Sequence, residues 1–213
     1  MSVKYLSCIL LVGFALGLGG CQSDGHAEST DRVMQPIVGG SLETGWPAVG
    51  ALTLMHPGYG YLGSFCTATL IESQWVLTAG HCLDNDFGGI ELTPGIVRFY
   101  VGNDARNPSA GSLHEVDAFY KHPNFSGDPL QNDIALVHLT EPVSGVTPVD
   151  INTTSMGGAW VGSSLLYVGF GVNDGDQQTG SGVKRSGNIP IHMVYSQTYA
   201  SDATDGVGVC FGD

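Results

Sequence analysis

The stretch Trp75-Val76-Leu77-Thr78-Ala79-Gly80-His81-Cys82 places a short apolar run directly before a histidine and a cysteine. Similar runs recur along the chain between clusters of Gly, Pro, Asn and Ser. They span residues 48–55, 65–71, 75–78, 96–101, 116–120, 134–139, 165–170 and 189–194. Runs of about four to eight residues rich in Val, Leu, Ile, Phe and Tyr are typical of an all-β sandwich or barrel, and no long helical period competes with them. The sequence therefore predicts an all-β fold.

The composition supports one packed domain and argues against nucleic-acid binding. The chain has 213 residues, of which 42% are hydrophobic and 13% charged, with 32 Gly and 10 Pro. That is enough apolar material for a core, and the Gly and Pro content predicts many turns. Seven Lys and Arg stand against 20 Asp and Glu, so the formal charge is −13. A surface of that sign repels a polyanion.

The cysteines and acidic residues do not form a recognisable metal site. Five cysteines occupy positions 8, 21, 66, 82 and 210, and no Cys-x-x-Cys pair is present, which argues against a zinc ribbon or a thioredoxin-type site. The segment from Asp84 begins like a calcium loop, but Gly88 stands at its fifth position and Gly95 at its twelfth, where a glutamate ligand is required. We expect a solvated acidic turn there, and we predict no metal or cofactor.

The first twenty residues are typical of an export signal. Lys4 precedes an almost wholly apolar stretch that ends in Leu18-Gly19-Gly20-Cys21. A membrane-spanning helix is the alternative, but the uncharged stretch of about 17 residues is shorter than the ~20 that a span needs. Leu-Gly-Gly-Cys resembles the lipobox of bacterial lipoproteins, which implies cleavage before Cys21 and a lipid anchor on it. The alternative is an ordinary signal and a secreted product. Residues 21–36 are polar and predict a flexible tether.

Four segments in a fixed chain order point to a family. They are Ile37-Val38-Gly39-Gly40, Thr78-Ala79-Gly80-His81-Cys82, Asn132-Asp133-Ile134-Ala135-Leu136 and Val209-Cys210-Phe211-Gly212-Asp213, with a weaker echo in His122-Pro123-Asn124-Phe125. Together they resemble the trypsin-like, chymotrypsin-fold serine peptidases of the S1 family, in which His, Asp and Ser form the catalytic triad in that order. The resemblance covers residues 37–213 and implies two antiparallel β-barrels, the second incomplete in this chain.

The resemblance gives His81 and Asp133 catalytic roles. A serine hydroxyl is a poor nucleophile at neutral pH, so a neutral imidazole must take its proton, and His81 would be that base. Asp133 would hold the ring and stabilise the imidazolium. Cys66 and Cys82 would form the disulfide that encloses the histidine turn. We expect the other histidines of the domain to be surface or core residues: His56, His114, His122, His138 and His192.

The chain ends at Asp213, where the nucleophilic serine of the family would come next. We therefore expect the 213 residues as written to be inactive and to be a truncated record of a longer gene. A surface binding module that has lost its serine is the alternative. The family motif gives Gly212 an oxyanion-hole N–H, and it pairs the carboxylate of Asp213 with a new amino terminus at Ile37.

Two departures from the family concern activation and specificity. Pro36 precedes Ile37 and the nearest basic residue is Arg32, so a trypsin-like activator would not cut at the usual bond. Gly208 and Val209 stand at the floor of the specificity pocket and bring no carboxylate, which predicts cleavage after uncharged residues. The expectation is an exported, monomeric endopeptidase that acts on proteins or peptides.

Overall fold

The computed structural model describes residues 37–84, 89–127, 130–174, 179–195, 199–201 and 208–209. Within these ranges the strands are β1 (Ile37–Val38), β2 (Ser41–Leu42), β3 (Val49–His56), β4 (Gly60–Glu72), β5 (Trp75–Thr78), β6 (Val97–Tyr100), β7 (Leu113–Lys121), β8 (Ser126–Gly127), β9 (Leu130–Gln131), β10 (Ala135–Leu139), β11 (Ser164–Gly169), β12 (Arg185–Val194), β13 (Tyr199–Ser201) and β14 (Gly208–Val209). The helical segments are single 3₁₀ turns, at His81–Leu83, Pro94–Ile96, Ala110–Ser112 and Gly158–Trp160.

The prediction of an all-β fold is confirmed, and each of the eight apolar runs overlaps a strand. Among the described residues no helix has the length and apolar character that a membrane crossing requires. The proposed signal, the tether and Cys21 lie in residues 1–36, outside the described part of the chain.

Six strands close into a barrel in the order β10-β5-β4-β3-β6-β7, with β7 pairing back onto β10. Side chains alternate along each strand, so one set fills the barrel. In β10, Ala135, Val137 and Leu139 are buried, whereas Leu136 and His138 are partly exposed. The register of β3 with β4 shifts twice, and such bulges supply the bend that closure needs.

A second, partial sheet packs against the barrel. It contains β11, β12 and β13, and β2 also pairs with β12. The outer side of β3 provides the contact, because Val49 and Ala51 cluster with Tyr100, Ala105 and Phe170. This explains why β3 is buried on both faces over its first six residues. One closed barrel with a partial second sheet agrees with the expected pair of barrels in which the second is incomplete.

Candidate active site

The histidine turn follows β5 and is cross-linked to β4. Residues His81–Leu83 form a 3₁₀ turn in which Cys82 and Leu83 are buried. The predicted disulfide between Cys66 and Cys82 is present, with a Cα–Cα distance of 6.1 Å and a sequence separation of 16 residues. The turn is therefore fixed by a covalent bond as well as by packing.

The aspartate turn precedes β10 and depends on a left-handed asparagine. Asn132 has a φ of 52°, a conformation that Asn adopts more readily than most residues. Its side-chain amide donates to the carbonyl of Asn124 at 2.8 Å, and its own carbonyl accepts from the N–H of Ile134 at 2.8 Å. These bonds set the direction in which Asp133 leaves the backbone.

Strand register brings the two turns together. β10 runs antiparallel to β5 with Ala135 opposite Thr78, so the start of one strand lies beside the end of the other. His81 comes three residues after Thr78 and Asp133 comes two before Ala135. The pairing of two barrel strands therefore delivers both side chains to one edge of the barrel.

His81 and Asp133 contact each other at two points. Nδ1 of the ring lies 2.8 Å from Oδ2 of Asp133, and the backbone N–H of His81 donates to Oδ1 at 2.8 Å. The two side chains are 20% and 21% exposed. A carboxylate only accepts, so it selects the tautomer in which Nδ1 carries the proton and Nε2 offers a lone pair. The pair thus presents a basic nitrogen whose orientation is fixed.

The same site contains the one group of metal-type ligands that lie close together within the described residues. It consists of Cys66, His81 and Cys82. The two sulfur atoms are joined in the disulfide, so neither is available as a thiolate ligand. The arrangement therefore suits proton transfer at His81 rather than metal binding.

A groove opens beside the disulfide, where the barrel meets the second sheet. Its lining comes from β4 and from the segment after β11: Ser64, Phe65, Cys66, Thr67, Phe170, Gly171 and Ser181.

The remaining predicted site residues lie around β1 or outside the described part. Ile37 is 3% exposed, and β1 pairs with β14 so that Ile37 stands opposite Val209 and Val38 opposite Gly208. Cys210, Gly212 and Asp213 are outside the described residues.

A second histidine–carboxylate pair was missed by the sequence analysis. Nδ1 of His138 lies 2.6 Å from Oδ1 of Asp117, with side chains that are 26% and 48% exposed. The alternation of β10 places His138 on the outer barrel face, and the bulge in β7 opposite His138 and Leu139 brings Asp117 beside it. His114 is half-buried, and burial lowers the pKa of its ring.

A closed β-barrel with a histidine–aspartate pair beside a disulfide, packed against a second antiparallel sheet, defines a protein of the chymotrypsin-fold class. The family model described as Trypsin matches residues 37–213, and the chain belongs to that family.

Curated relatives agree with this assignment. The chain is 29% identical to brachyurin of Leptuca pugilator over 192 residues, which cover 83% of this chain and 78% of the relative. It is 29% identical to a trypsin of Squalus acanthias over 109 residues, 50% of this chain and 43% of the relative. It is 30% identical to the inactive CLIP domain-containing serine protease A3 of Aedes aegypti over 130 residues, 61% of this chain and 26% of the relative. The chain spans less than half the length of the last two.

Proposed function

We propose that the chain is the larger part of an exported serine endopeptidase in which His81 is the general base and Asp133 its orienting acid. The observation that carries this proposal is the two-point contact of His81 with Asp133 at 2.8 Å. In this proposal the nucleophilic serine follows Asp213 in the complete protein.

The chemistry is acyl transfer. Nε2 of His81 takes the hydroxyl proton of the serine while the serine oxygen attacks the carbonyl carbon of the peptide bond. The protonated ring gives that proton to the leaving amine, and an acyl-enzyme remains. Water then attacks the ester with the same base and releases the acid. The N–H of Gly212 and that of the serine bind the developing oxyanion, at ~3 kcal/mol for each donor.

Export, lipid anchoring, specificity and activation are proposed from the sequence. Residues 1–20 are a lipoprotein-type signal, Cys21 carries the anchor, residues 21–36 are a tether, and residues 37–213 belong to the peptidase domain. Gly208 and Val209 form the floor of a specificity pocket that accepts uncharged side chains. Ile37 and Asp213 form the activation pair, and Pro36 requires an activator other than a trypsin-like one. The burial of Ile37 is compatible with this role.

A catalytically dead surface binding module is the second candidate. One relative carries the word inactive in its name, which is the observation that favours it. The two candidates differ at the codon after Asp213. Serine followed by Gly-Gly-Pro supports the peptidase, and a stop codon or another residue there supports the binding module.

The test of the mechanism is hydrolysis of a peptide substrate by the complete gene product and its His81→Ala variant. We expect His81→Ala to lower kcat by at least about 10⁴-fold, because the base is removed. His138→Ala is the matched control, since it also removes a histidine paired with an aspartate, and it should keep its activity. Full activity of His81→Ala would overturn the mechanism.

A further inference from the structure

The segment His122–Phe125 lies between the two turns that carry His81 and Asp133. It begins directly after β7 and folds into a tight turn in which the N–H of Phe125 donates to the carbonyl of His122 at 2.9 Å. The N–H of His122 donates to the carbonyl of Ile134 at 3.0 Å. The segment is therefore attached to the residue that follows Asp133.

The same segment contacts the residue that precedes Asp133. The carbonyl of Asn124 accepts the side-chain amide of Asn132 at 2.8 Å. Asn132 is the residue with the left-handed backbone, so this hydrogen bond acts on the position where the chain changes direction before Asp133. Asn124 thus braces the aspartate turn from one side.

Its last residue contacts the residue that precedes His81. Gly80 has φ −64° and ψ −39°, an ordinary right-handed conformation, so the backbone does not require glycine there. A Cβ at this position would lie 2.8 Å from Cδ2 and 3.2 Å from Cγ of Phe125. The ring of Phe125 occupies the space that a side chain of residue 80 would fill.

An ion pair between Lys121 and Asp84 lies on the solvent side of the Phe125 ring. Nζ of Lys121 bonds to the carboxylate of Asp84, whose N–H donates to the carbonyl of His81 at 3.3 Å. The same Nζ lies 5.8 Å from the centre of the Phe125 ring, within the range of a cation–π contact. Phe125 is therefore held between Gly80 and Lys121.

We propose that Phe125 is a positioning residue for the His81–Asp133 pair: its ring, seated on Gly80, and the Asn124 carbonyl, bonded to Asn132, fix the distance between the two turns. The catalytic meaning of this inference rests on the proposed function. The contacts of Phe125 with Gly80 and of Asn124 with Asn132 are present in the structure whether or not the protein is an enzyme. Asn124 contacts the aspartate turn and the adjacent Phe125 contacts the histidine turn. A change at Phe125 therefore moves one turn relative to the other.

The direct test is NMR spectroscopy of the Nδ1 proton of His81 in the 213-residue chain. This proton gives a resolved resonance only while it is held against the carboxylate. We expect Phe125→Ala to speed its exchange with water by at least about tenfold, which corresponds to a loss of about 1.4 kcal/mol from the charge-assisted hydrogen bond. Phe119→Ala is the matched control, because Phe119 is also partly buried but packs against the barrel core. It should leave the exchange rate unchanged.

Two further variants separate positioning from a general loss of stability. Gly80→Ala should also speed the exchange, since its methyl group displaces the ring, and Gly80→Ala with Phe125→Leu should restore it by refilling the same space. Asn132→Gly keeps the left-handed backbone but removes the amide donor, and it should have the same effect as Phe125→Ala. Unchanged exchange in Phe125→Ala, or equal acceleration in Phe119→Ala, would overturn the proposal.

The experiment does not require the nucleophilic serine. If the complete gene product has no serine after Asp213, the proposed function fails while the NMR result still decides whether Phe125 positions the pair. If the serine is present, Phe125→Ala should lower kcat about tenfold with KM unchanged, because the base and not the substrate contact is disturbed. A change confined to KM would contradict the role.

Discussion

The ammonium group of Lys184 is enclosed by the protein and donates to the main-chain carbonyl of Trp46 at 3.1 Å. Lys184 is 1% exposed, and its Nζ also lies 3.4 Å from the carbonyl of Gly45 and 5.6 Å from the centre of the Phe170 ring. Lys184, which directly precedes β12, thereby joins that end of the strand to the loop that follows β2. Burial lowers its pKa to about 8, and the carboxylate of Glu43 opposes that change.

This lysine makes the stability of the protein dependent on pH in the alkaline range. Between about pH 8 and 10.5 the unfolded chain holds a proton at Lys184 that the folded chain has released, so the free energy of unfolding rises with pH there. We expect the free energy of unfolding of wild type to rise, relative to that of Lys184→Met, by up to about 3 kcal/mol from pH 7 to pH 10. Urea titrations at a series of pH values measure it.

Lys121→Met controls for the loss of one positive charge from an exposed ion pair. Tyr61, whose pKa is raised to about 12 by burial, titrates in wild type and in both variants, so its contribution cancels in the difference. A wild-type to Lys184→Met difference that stays constant from pH 7 to pH 10 would contradict the prediction.

Asp133→Asn should remove most of the activity of the complete gene product while preserving the fold. The asparagine oxygen still accepts the backbone N–H of His81, but its amide group donates to Nδ1 and forces the proton onto Nε2. The ring then cannot accept a proton from the serine. We expect kcat to fall by about 10⁴-fold, as it does when the aspartate of a Ser-His-Asp triad is changed to asparagine.

Asp117→Asn is the matched control for that substitution, since it alters the other histidine–aspartate pair at an exposed site. Steady-state kinetics at one pH, with thermal unfolding of both variants, provide the measurement. Equal losses of kcat in the two variants would mean that the His81–Asp133 pair has no special role.

Removing the disulfide should destabilise the barrel and loosen the histidine turn. The bond between Cys66 and Cys82 closes a loop of sequence separation 16, for which chain entropy gives a contribution of about 3 kcal/mol. We expect the double variant Cys66→Ser with Cys82→Ser to lose about this much free energy of unfolding. The urea midpoint of wild type in reductant should match that of the variant in its absence. A midpoint unaffected by the substitutions would contradict the prediction.

The strands that the sequence predicted are those whose apolar pattern is long enough to be recognised. All eight apolar runs correspond to strands, from β3 to β12. Burial alternates along β5 and β10, whereas β3 is buried on both faces and its run is almost continuously apolar, and both patterns are typical of strands. The two-residue strands, such as β8 and β9, were not predicted. Their pairing depends on the chain segments opposite them, and two residues carry no periodicity.

The contacts that support the site also join residues far apart in the sequence, so the sequence alone did not predict them. Family resemblance identified His81, Asp133 and the cysteine pair, but Gly80 gives no sign in the sequence that an aromatic ring covers it. Lysine is rarely buried in proteins, and nothing in the sequence around Lys184 signals that its side chain is enclosed. Only the folded chain reveals the carbonyls of Gly45 and Trp46 that receive its ammonium group.

Gly50 and Gly95 should respond in opposite directions to the same change to alanine. A Cβ on Gly50 would lie 2.2 Å from the carbonyl oxygen of Tyr100 and 2.6 Å from Cε2 of Phe99. The neighbouring pair, Ala51 and Tyr100, are partners in the ladder between β3 and β6, so the backbone cannot yield without opening the barrel. We expect Gly50→Ala to lower the free energy of unfolding by about 3 kcal/mol, the upper part of the range for overpacked cores.

Gly95 lies in the 3₁₀ turn Pro94–Ile96, and a Cβ added to it would have no atom of the described residues within 4 Å. Alanine there meets no obstacle and reduces the freedom of the unfolded chain, so Gly95→Ala should stabilise the protein by about 0.5 kcal/mol. Urea unfolding of the two variants beside wild type measures both effects. If Gly50→Ala unfolded at the wild-type midpoint, the close approach of β3 to β6 would be wrong, and with it the packing that closes the barrel.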